Sequence, residues 1–571
     1  MLGSQSCASS DRLRMLFSTF SVLCFAAQCL AQEPQIPLGH HHAVQKLKWE
    51  DCSSVWIEHT LQCATLEVPM DHFGPPSDKI FTIPLIRMIA TNASANGDRH
   101  IFINPGGPGG SGVGIVRVGA DYLSDIIGED FHLLGFDPRG VQGSRPNASC
   151  YPDNQQRTDA VYNNPWHVEF QAGQMYTNAE NKARACQDMM GEHGKYINTP
   201  QTAADMNSIL DALGQDELYY WGFSYGTTLG QTYAQMFPDR VGRVAIDGVS
   251  NLDNWYKSAF DEEAFSDTDT IFAGFIEECL KHKNECPLAS LNGTDFDSPN
   301  ELKKYMQDYL LQLEEEPIPV YINPDLYGSI TRQILVTYGI FFALYGPSIW
   351  ASLADDLADL INGNSIPAFL EYSPHRVADF IGDDSNTFVV HNDIKQTGKD
   401  FPVHGIQDIR NYTLSIPQPS KLVSAYYASD IFMRASWRIE TTHTFQPRYS
   451  HEYPPVKTAH PLLILSTTYD PVCPLVSAMK AWKSFEGAGI VEQKSYGHCT
   501  LSMPSLCTAK HLRRYFNEGK VPDNYTTCEI DREYFVAELP ELSALSQEDQ
   551  KLLKSLDALS KTDNVIFPWK F

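Results

Sequence analysis

The stretch that most constrains this chain is an apolar and aromatic run that stops at a Gly-x-Ser-x-Gly and resumes with helical spacing, between Leu218 and Gly230. This pattern predicts a strand, a very tight turn and a helix. Glycine stands at 222 and 226 because a side chain at either position would collide with the neighbouring strand and helix. We therefore expect Ser224 to project its hydroxyl above a sheet, with the positive end of a helix dipole behind it.

A glycine-rich loop follows an earlier predicted strand. The strand at 101–103 ends in the sequence NPGGPGGSG, at positions 104–112. So much glycine means that the backbone itself comes close to something. The loop lacks the Gly-Lys-Ser/Thr ending of a P-loop and the spacing of a dinucleotide fingerprint. We expect the N–H groups of Gly107 and Tyr225 to form an oxyanion hole instead.

Two later strands end near the other residues that a serine nucleophile needs. The apolar run at 461–466 leads to Asp470, and the run at 490–496 leads to His498. The carboxyl ends of parallel strands share one edge of a sheet, so both side chains are expected beside Ser224. Any of the 18 histidines could follow a glycine by chance. The chain order Ser, Asp, His nevertheless predicts a catalytic triad, which needs neither a metal nor an organic cofactor.

A further buried strand, at 131–136, runs into a polar turn. Asp137 in this turn could act as a catalytic acid. We instead expect Asp137 to form an ion pair with Arg139 that fixes the loops around the site.

The order of the elements predicts an α/β fold with a mostly parallel sheet flanked by helices. Between 250 and 458 the strand rhythm gives way to aromatic and acidic helical stretches, far longer than a strand connection needs, which predicts a large helical cap inserted before the last strands. The expected divisions are a signal peptide (1–31), an N-terminal extension (32–78), the first part of the core (79–249), the cap (250–458), the second part of the core with a cysteine-containing C-terminal region (459–535) and a tail (536–571).

The N-terminus has the pattern of a secretory signal. Arg12 and Arg14 precede the apolar run from Met15 to Phe25, and small residues precede Gln32. A membrane anchor is the alternative, but the run is too short to span a bilayer comfortably. We expect a secreted, extracellular protein with no membrane contact once the signal is removed.

Cysteine usage agrees with that compartment. Ten cysteines remain after the signal, and an even number in a secreted chain predicts disulfides. Local spacing suggests Cys52 with Cys63, Cys150 with Cys186, and Cys279 with Cys286. The other four are left to pair in one of three ways: Cys473, Cys499, Cys507 and Cys528. None of the ten has zinc-ligand spacing with histidines, so no metal site is expected.

Sequons and charge complete the picture of an extracellular glycoprotein. Five Asn-x-Ser/Thr sequons predict glycans at Asn92, Asn147, Asn292, Asn411 and Asn524. With 43 Lys plus Arg against 70 Asp plus Glu, the net charge of -27 argues against nucleic acid or an anionic membrane as a partner. A monomer is expected.

Taken together, the motifs resemble those of the secreted α/β-hydrolases of the tripeptidyl aminopeptidase-like, proline iminopeptidase-related family. The resemblance runs from about Trp49 to Cys528 and rests on the glycine-rich loop, the sequence GFDPRG at 135–140, the serine turn, the sequence DPV at 470–472 and the sequence GHC at 497–499. It implies an α/β-hydrolase fold and an exopeptidase that removes short peptides from free N-termini, with the cap closing one end of the cleft. Members of the wider group also cleave esters, amides and lactones.

An exopeptidase needs cap carboxylates to receive the substrate ammonium, although a solvated surface charge is the more common role for each candidate. The candidates are Asp261, Glu262, Glu263, Asp430 and Glu440. An esterase or small-molecule hydrolase would instead line the cap with aromatic side chains, for which the candidates are Tyr338, Phe341, Phe342, Tyr345 and Trp350. The intact Ser, Asp and His argue against a catalytically inactive binding protein, and the chain lacks the repeats that a structural role would predict.

Overall fold

The computed structural model describes residues 46–52, 59–92, 99–162, 165, 167–258, 261, 263–373, 383–394, 397–423, 426–441, 443–448 and 454–561. The expected signal peptide at 1–31 lies outside the described residues. Within these ranges no single helix has the length and apolar character to cross a membrane; one sharply bent pair, Arg332–Tyr345 with Pro347–Ile361, meets both criteria together.

Ten strands form one central sheet. All strands in chain order are β1 (Glu50–Asp51), β2 (Leu61–Pro69), β3 (Ile80–Met88), β4 (His100–Asn104), β5 (His132–Phe136), β6 (Leu218–Phe223), β7 (Val241–Asp247), β8 (Ser290–Leu291), β9 (Thr294–Asp295), β10 (Ile318–Asn323), β11 (Leu326–Ile330), β12 (Leu463–Tyr469), β13 (Gly489–Tyr496) and β14 (Thr526–Cys528). The sheet order is β1-β2-β3-β5-β4-β6-β7-β12-β13-β14, while β8–β9 and β10–β11 are separate hairpins. Pairing is antiparallel from β1 to β5 and parallel from β5 through β4 to β14, which confirms the mostly parallel sheet.

Helices cover the sheet and form a separate layer above its carboxyl edge. The α-helices are α1 (Gly112–Ile127), α2 (Asn154–Tyr162), α3 (Val168–Met190), α4 (Thr199–Leu213), α5 (Tyr225–Met236), α6 (Leu252–Lys257), α7 (Thr268–Lys281), α8 (Pro299–Glu315), α9 (Arg332–Ile334), α10 (Phe342–Tyr345), α11 (Trp350–Ile361), α12 (Ile366–Tyr372), α13 (Ser385–Asp393), α14 (Ile406–Ser415), α15 (Tyr426–Ser436), α16 (Leu475–Ser484), α17 (Leu506–Glu518) and α18 (Gln547–Lys561). A π-helical turn covers Leu335–Phe341. Short 3-10 turns lie at His193–Tyr196, Pro238–Arg240, Pro287–Ala289, Pro347–Ile349, Gly398–Asp400 and Thr500–Ser502.

Local sequence explains where α4 and β6, the two elements before the serine turn, form. The side chain of Asn198 accepts from the N–H of Gln201 and caps α4, and Gly214 ends the helix in the left-handed region at φ 69°. Every residue of β6 is buried. A strand buried on both faces of a parallel sheet reads as a continuous apolar run, which is the run that precedes Ser224.

The sheet and its covering layer begin and end outside the predicted core boundaries. Within the predicted N-terminal extension, β2 pairs with β3 over nine residues, from Leu61 opposite Met88 to Pro69 opposite Ile80. Polar residues alternate with buried ones along β2, as suits a strand near the edge of a sheet. At the other end, α18 buries Leu552 and Leu556 in the same core as α1, so the predicted tail at 536–571 contributes a packed helix.

The helical region above the sheet has two parts. Helices α7 to α12 surround a core of their own. Helices α14 and α15 instead pack on α3, which precedes the predicted cap, and Lys182 of α3 donates to Thr387 of α13. Part of the helical region above the sheet is therefore contributed by a helix that ends some 60 residues before the predicted cap. We call α3, α13 and α15 the helical wall.

Disulfides agree with the sequence prediction except at two cysteines. The three local pairs form as predicted, and Cys507 bonds Cys528. Cys473 and Cys499 are free and buried, so the prediction that all ten cysteines form disulfides is wrong. Each thiol lies against a different group: Cys473 Sγ is 3.5 Å from Ser250 Oγ, whereas Cys499 Sγ donates to the carbonyl of Asp247.

The predicted glycan sites differ in exposure. Asn147 is half-buried, and the other four asparagines are exposed: Asn92, Asn292, Asn411 and Asn524. Glycosylation at all five stays a prediction.

Candidate active site

Ser224 occupies a sharp turn between β6 and α5. Its backbone lies at φ 55° and ψ -124°, in a region that costs a non-glycine residue free energy. Its N–H donates to the carbonyl of Asp247 at 3.0 Å, which holds the turn against the neighbouring strand. A Cβ on Gly222 would lie 2.3 Å from the ring of Tyr220, and one on Gly226 would lie 2.9 Å from the carbonyl of Asn104. The two glycines therefore allow the close approach of strand and helix that the motif predicts.

Asp470 and His498 form a buried pair just beyond β12 and β13. The Nδ1 of His498 lies 2.8 and 2.9 Å from the two carboxylate oxygens of Asp470. Backbone N–H groups of Val472, Cys473 and Cys499 also donate to that carboxylate, at 2.8 to 3.2 Å. These hydrogen bonds fix the carboxylate and require the proton of neutral His498 to sit on Nδ1.

The other nitrogen of His498 is left without a partner. Nε2 is buried and makes no hydrogen bond to the described part of the chain. The backbone N–H of His498 donates to the carbonyl of Tyr345 at 2.8 Å, and the edge of the ring meets that tyrosine at 5.0 Å between centroids. The imidazole is thus held from two sides, with an unprotonated nitrogen able to accept a proton.

Asp247, at the end of β7, links the serine turn to the histidine loop. Its carbonyl accepts from Ser224, and its carboxylate accepts from the N–H of Thr500 at 2.8 Å and the hydroxyl at 2.6 Å. Burial raises the pKa of Asp247 to about 6, against the opposing effect of the Thr500 hydrogen bonds. Sequence reasoning missed this residue, although an aspartate at the end of a buried strand was the signal that identified Asp470.

The glycine-rich loop passes directly over the serine turn. A Cβ on Gly106 would lie 2.1 Å from the carbonyl oxygen of Phe223. Asn104 accepts from the N–H of Gly106 at 2.9 Å and so shapes the loop from below. Gly107, at φ 118°, lines the same cavity as Ser224 and Tyr225.

A buried network holds Tyr225 from the cap side. The Tyr225 hydroxyl donates to Thr199 Oγ1 at 2.6 Å, since that threonine donates its own proton to Asp393. The Asp393 carboxylate also accepts from Trp255 Nε1 at 2.7 Å. Burial raises the pKa of Asp393 to about 6, although its hydrogen bonds oppose the effect. This network was not predicted, because it joins α4, α5, α6 and α13 only in the folded chain.

A cavity of about 1070 Å³ opens between the sheet edge and the helical region. Ser224 and Cys473 line it from the sheet edge, and Lys182, Asp430 and Arg434 line it from the helical wall. Its volume exceeds what one amino-acid residue fills, so a peptide of several residues fits inside.

The five predicted substrate-binding carboxylates are placed differently. Asp261 and Asp430 line the cavity, whereas Glu263 and Glu440 are not among the described residues that do. Glu263 pairs with Lys480, and Glu440 pairs with Lys399 at the surface, 2.7 Å apart. Glu262 lies outside the described residues. The two glutamates bind cations of this chain, which leaves Asp261 and Asp430 as candidates.

Asp261 is a half-buried carboxylate bound only by neutral donors in the described chain. It accepts from Asn254 Nδ2 at 2.8 Å and from the N–H groups of Glu263 and Ala264, at 3.0 and 3.3 Å. Burial raises the pKa of Asp261, and these hydrogen bonds only partly oppose it. A cation arriving in the cavity would stabilise this carboxylate.

Asp430 already has a cation. Arg434 Nε donates to it at 2.7 Å, and His391 Nε2 lies 3.6 Å away. Burial raises the pKa of Asp430, but Arg434 and His391 outweigh burial and hold it below its usual range. Burial lowers the pKa of His391 to about 3, against the attraction of Asp430. His391 is therefore neutral at physiological pH.

The predicted ion pair between Asp137 and Arg139 is wrong. Asp137 accepts from Ser111 Oγ at 2.6 Å and from the N–H of Gly143 at 3.0 Å, at the start of α1. Arg139 instead forms a two-pronged pair with buried Asp205, at 2.6 and 2.7 Å. Neither residue lines the cavity in the described chain. The pairing depends on α4, which lies more than 60 residues away in sequence.

The aromatic candidates divide between the cavity and the core. Tyr338 and Tyr345 line the cavity. Phe341 and Trp350 are buried within the core of helices α7 to α12, and Phe342 contacts Tyr345.

With this geometry established, two family models match the chain: a model of the alpha/beta hydrolase fold over residues 99–305 and a model of TAP-like proteins over 421–528. The chain has the α/β-hydrolase fold and contains a TAP-like domain. Each model covers one of the two sequence segments that supply the serine turn and the Asp-His pair. The first model spans Ser224, and the second spans Asp470 and His498.

Three curated relatives indicate the range of the family. Serine protease Hip1 of Mycobacterium tuberculosis is 32% identical over 331 residues, which cover 56% of this chain and 60% of Hip1. Tripeptidyl aminopeptidase of Streptomyces lividans is 25% identical, covering 84% of this chain and 86% of the relative. Carboxylesterase B of Mycobacterium tuberculosis is 26% identical, covering 84% and 89%. The match thus spans about three fifths of the length of Hip1, and the relatives include both peptidases and an esterase.

Proposed function

We propose that this serine hydrolase is a secreted exopeptidase that releases short peptides from free N-termini. The observation that carries the proposal is one cavity that brings Ser224 together with Asp261, a carboxylate that binds no cation of the described chain. A hydrolase of simple esters has no use for such a carboxylate. A peptide with a free ammonium group supplies the missing cation.

The chemistry follows from the arrangement of Ser224, His498 and Asp470. His498 Nε2 takes the hydroxyl proton as Ser224 attacks the scissile carbonyl, and Asp470 stabilises the imidazolium from Nδ1. The N–H groups of Gly107 and Tyr225 bind the oxyanion of the tetrahedral intermediate. His498 then gives its proton to the leaving amine. A water molecule, activated by the same imidazole, releases the acyl group as a short peptide.

Asp261 is the best candidate for the ammonium site. A desolvated ammonium group without a counter-ion costs several kcal/mol, so an exopeptidase needs a carboxylate within its cavity. Asp430 is a weaker candidate because Arg434 already compensates its charge. A bound ammonium would lower the raised pKa of Asp261. The ionised carboxylate therefore binds the ammonium more tightly than the protonated carboxyl does.

Secretion is supported by the covalent structure. Four disulfides join eight of the cysteines downstream of the expected signal. Such bonds persist in oxidising compartments and are rare in the cytosol. Mass mapping of the N-terminus of the exported protein tests the expected signal cleavage near Gln32.

The decisive experiment compares kcat/KM for a tripeptide amide with a free N-terminus and for its acetylated form. Acetylation removes the charge and adds bulk, so we expect kcat/KM to fall at least about a hundredfold, or roughly 2.7 kcal/mol of transition-state binding. Asp261→Asn should remove most of that discrimination. Glu263→Gln is the matched control, because this neighbouring carboxylate binds Lys480 instead of facing the cavity. Equal values for the two substrates would refute an N-terminal exopeptidase.

A small-molecule esterase is the second candidate. Tyr338 and Tyr345 line the cavity with aromatic surface, and one relative is named carboxylesterase B. Short-chain esters in the same assay decide between the two, since turnover confined to esters and unaffected by Asp261→Asn would favour the esterase.

A further inference from the structure

The helical wall carries a cluster of charges that the proposed catalytic chemistry does not use. Lys182 lies on α3 and its Nζ donates to Thr387 Oγ1 of α13 at 3.1 Å. Arg157 pairs with Asp384 through two nitrogens, at 3.0 and 3.2 Å. Arg434 pairs with Asp430, as described above. Three cations thus face two carboxylates.

Lys182 is the surplus cation of this cluster. Each arginine has its own carboxylate, whereas Lys182 forms no ion pair within the described ranges and hydrogen-bonds a neutral hydroxyl. His391, which lies among these groups, is neutral at physiological pH. One further carboxylate, Asp159, lines the cavity at an exposed position and accepts from Gln155 of its own helix. Of the charged groups on this side of the cavity, Lys182 and Arg434 equal Asp159 and Asp430 in number, and Lys182 is the cation that forms no ion pair within the described ranges.

The surroundings make this surplus charge costly for the free protein. Burial lowers the pKa of Lys182, and Arg157 adds to that effect, while Asp384 and Asp430 oppose it. Nη1 of the neighbouring Arg434 is also buried with no acceptor in the described chain. A singly charged oxygen anion that enters the cavity would form a charge-assisted hydrogen bond with such an ammonium group and stabilise its charge.

We propose that Lys182 is a specificity-determining residue that binds a carboxylate of the peptide substrate at the helical wall. The inference rests on the proposed exopeptidase function and extends it. The substrate ammonium lies at Asp261, the scissile carbonyl lies at Ser224, and a carboxylate of the same peptide reaches Lys182. A single ammonium with both arginines already paired suits a carboxylate better than a doubly charged phosphate.

Two sources can supply that carboxylate, an acidic side chain or a free C-terminus. The experiment separates them with two sets of peptides. In the first set, Glu replaces Gln at each of the three positions on the acyl side of the scissile bond, with an amidated C-terminus. In the second set, Gln peptides carry either a free or an amidated C-terminus. We expect kcat/KM to be at least about tenfold higher for the acidic peptide than for its amide counterpart, either at one of the three side-chain positions or at the C-terminus. A tenfold ratio corresponds to about 1.4 kcal/mol.

Variants of Lys182 then test whether this residue causes the preference for the acidic peptide. Lys182→Met should reduce the ratio of acid to amide to about one, and Lys182→Arg should retain most of it. Lys399→Met is the control, since Lys399 pairs with Glu440 on the surface. If the wild-type enzyme shows no acid preference, or if Lys182→Met keeps it, the proposed carboxylate site is wrong even though peptide turnover stands.

A binding measurement keeps this inference separate from the peptidase proposal. Ser224→Ala and its double variant with Lys182→Met can be titrated with the same Glu and Gln peptides by calorimetry. Tighter binding of the acid form to Ser224→Ala, lost in the double variant, supports the carboxylate site even if the wild type hydrolyses only esters. Equal binding of both forms by Ser224→Ala overturns it.

Discussion

The protein has two aspartate–histidine pairs, Asp470 with His498 at the sheet edge and Asp430 with His391 in the lining of the cavity, and they differ in what surrounds the aspartate. Asp470 is fully buried, and three backbone N–H groups together with His498 hold its carboxylate. Asp430 keeps 40% of its side chain exposed and binds Arg434 more closely than it binds His391. The first pair leaves Nε2 of its histidine without a hydrogen-bond partner in the described chain, whereas burial keeps the second histidine neutral.

The two pairs differ in the groups that hold the carboxylate and in the burial of the histidine. Backbone N–H groups orient a carboxylate without competing for the proton of the imidazole, so Asp470 acts fully on His498. Burial lowers the pKa of His391 to about 3; Arg434, which binds Asp430, adds to that effect, while Asp430 opposes it. The sheet edge is therefore arranged for proton transfer, and the helical wall is arranged for charge recognition.

The largest effect is expected from the nucleophile at the sheet edge. Ser224→Ala should lower kcat about a million-fold, as in serine hydrolases that lose the nucleophile, while folding and secretion stay intact because the hydroxyl does not support the core. Ser429→Ala, on the helical wall of the same cavity, should change kcat only a few-fold. A purified, folded Ser224→Ala enzyme with more than about a tenth of wild-type activity would exclude this serine as the nucleophile.

The two aspartates provide the next comparison. Asp470→Asn should lower kcat about 10⁴-fold, because an amide stabilises the wrong tautomer of His498 and cannot compensate an imidazolium. Asp430→Asn should lower kcat no more than about tenfold and act mainly on KM. Steady-state kinetics on the same peptide give both numbers. Similar losses in kcat for the two variants would contradict the distinction between the two walls.

In the charge cluster at the helical wall, which includes Arg157 of α2, paired and surplus cations should differ in their effect on stability. Arg157→Met leaves buried Asp384 without its cation and should lower the free energy of unfolding by about 3–5 kcal/mol. Lys182→Met removes the surplus charge and should change the free energy of unfolding by less than about 1 kcal/mol. Denaturant unfolding of both variants measures the difference, and an equally large loss for Lys182→Met would mean that this lysine is a structural partner.

The smallest expected effect is the pH dependence of stability that comes from Asp247 at the sheet edge. Burial raises its pKa to about 6, above the value of an unfolded aspartate, so the folded state binds this proton more tightly than the unfolded state. Its contribution to stability is complete below about pH 4 and is lost as the pH rises through 6, amounting to about 3 kcal/mol. Asp247→Asn should flatten the curve of unfolding free energy between pH 4.5 and pH 7. An unchanged slope would rule out this titration.

Sequence reasoning succeeded where a residue follows a buried strand. Ser224, Asp470 and His498 each stand at the carboxyl end of an apolar run, and a parallel sheet brings such ends to one edge whatever the loops do. The same reasoning missed Asp247, which meets the same criterion. It also expected both Cys473 and Cys499 to take part in disulfides, in one of three possible pairings with Cys507 and Cys528. Counting cysteines cannot detect that each of the two free thiols packs against a different group beside the Asp-His pair.

The helical wall was beyond prediction from the sequence. The charged and polar groups of the wall come from three helices, and the sequence separation reaches about 250 residues, between Lys182 and Arg434. Each helix alone has the pattern of an ordinary amphipathic surface. Glu440 and Glu263 were equally good candidates by sequence, yet cations of this chain bind both of them.

The sequence by itself determined the turn that carries the serine, the strand ends that carry its partners and the α/β order of the core, because these depend on local periodicity and on glycine at fixed positions. Only the tertiary structure decided which charges face the cavity and which of them lack a partner. Ion pairing between distant helices depends on distances of 3–4 Å that are set by packing, and no local pattern in the chain encodes those distances.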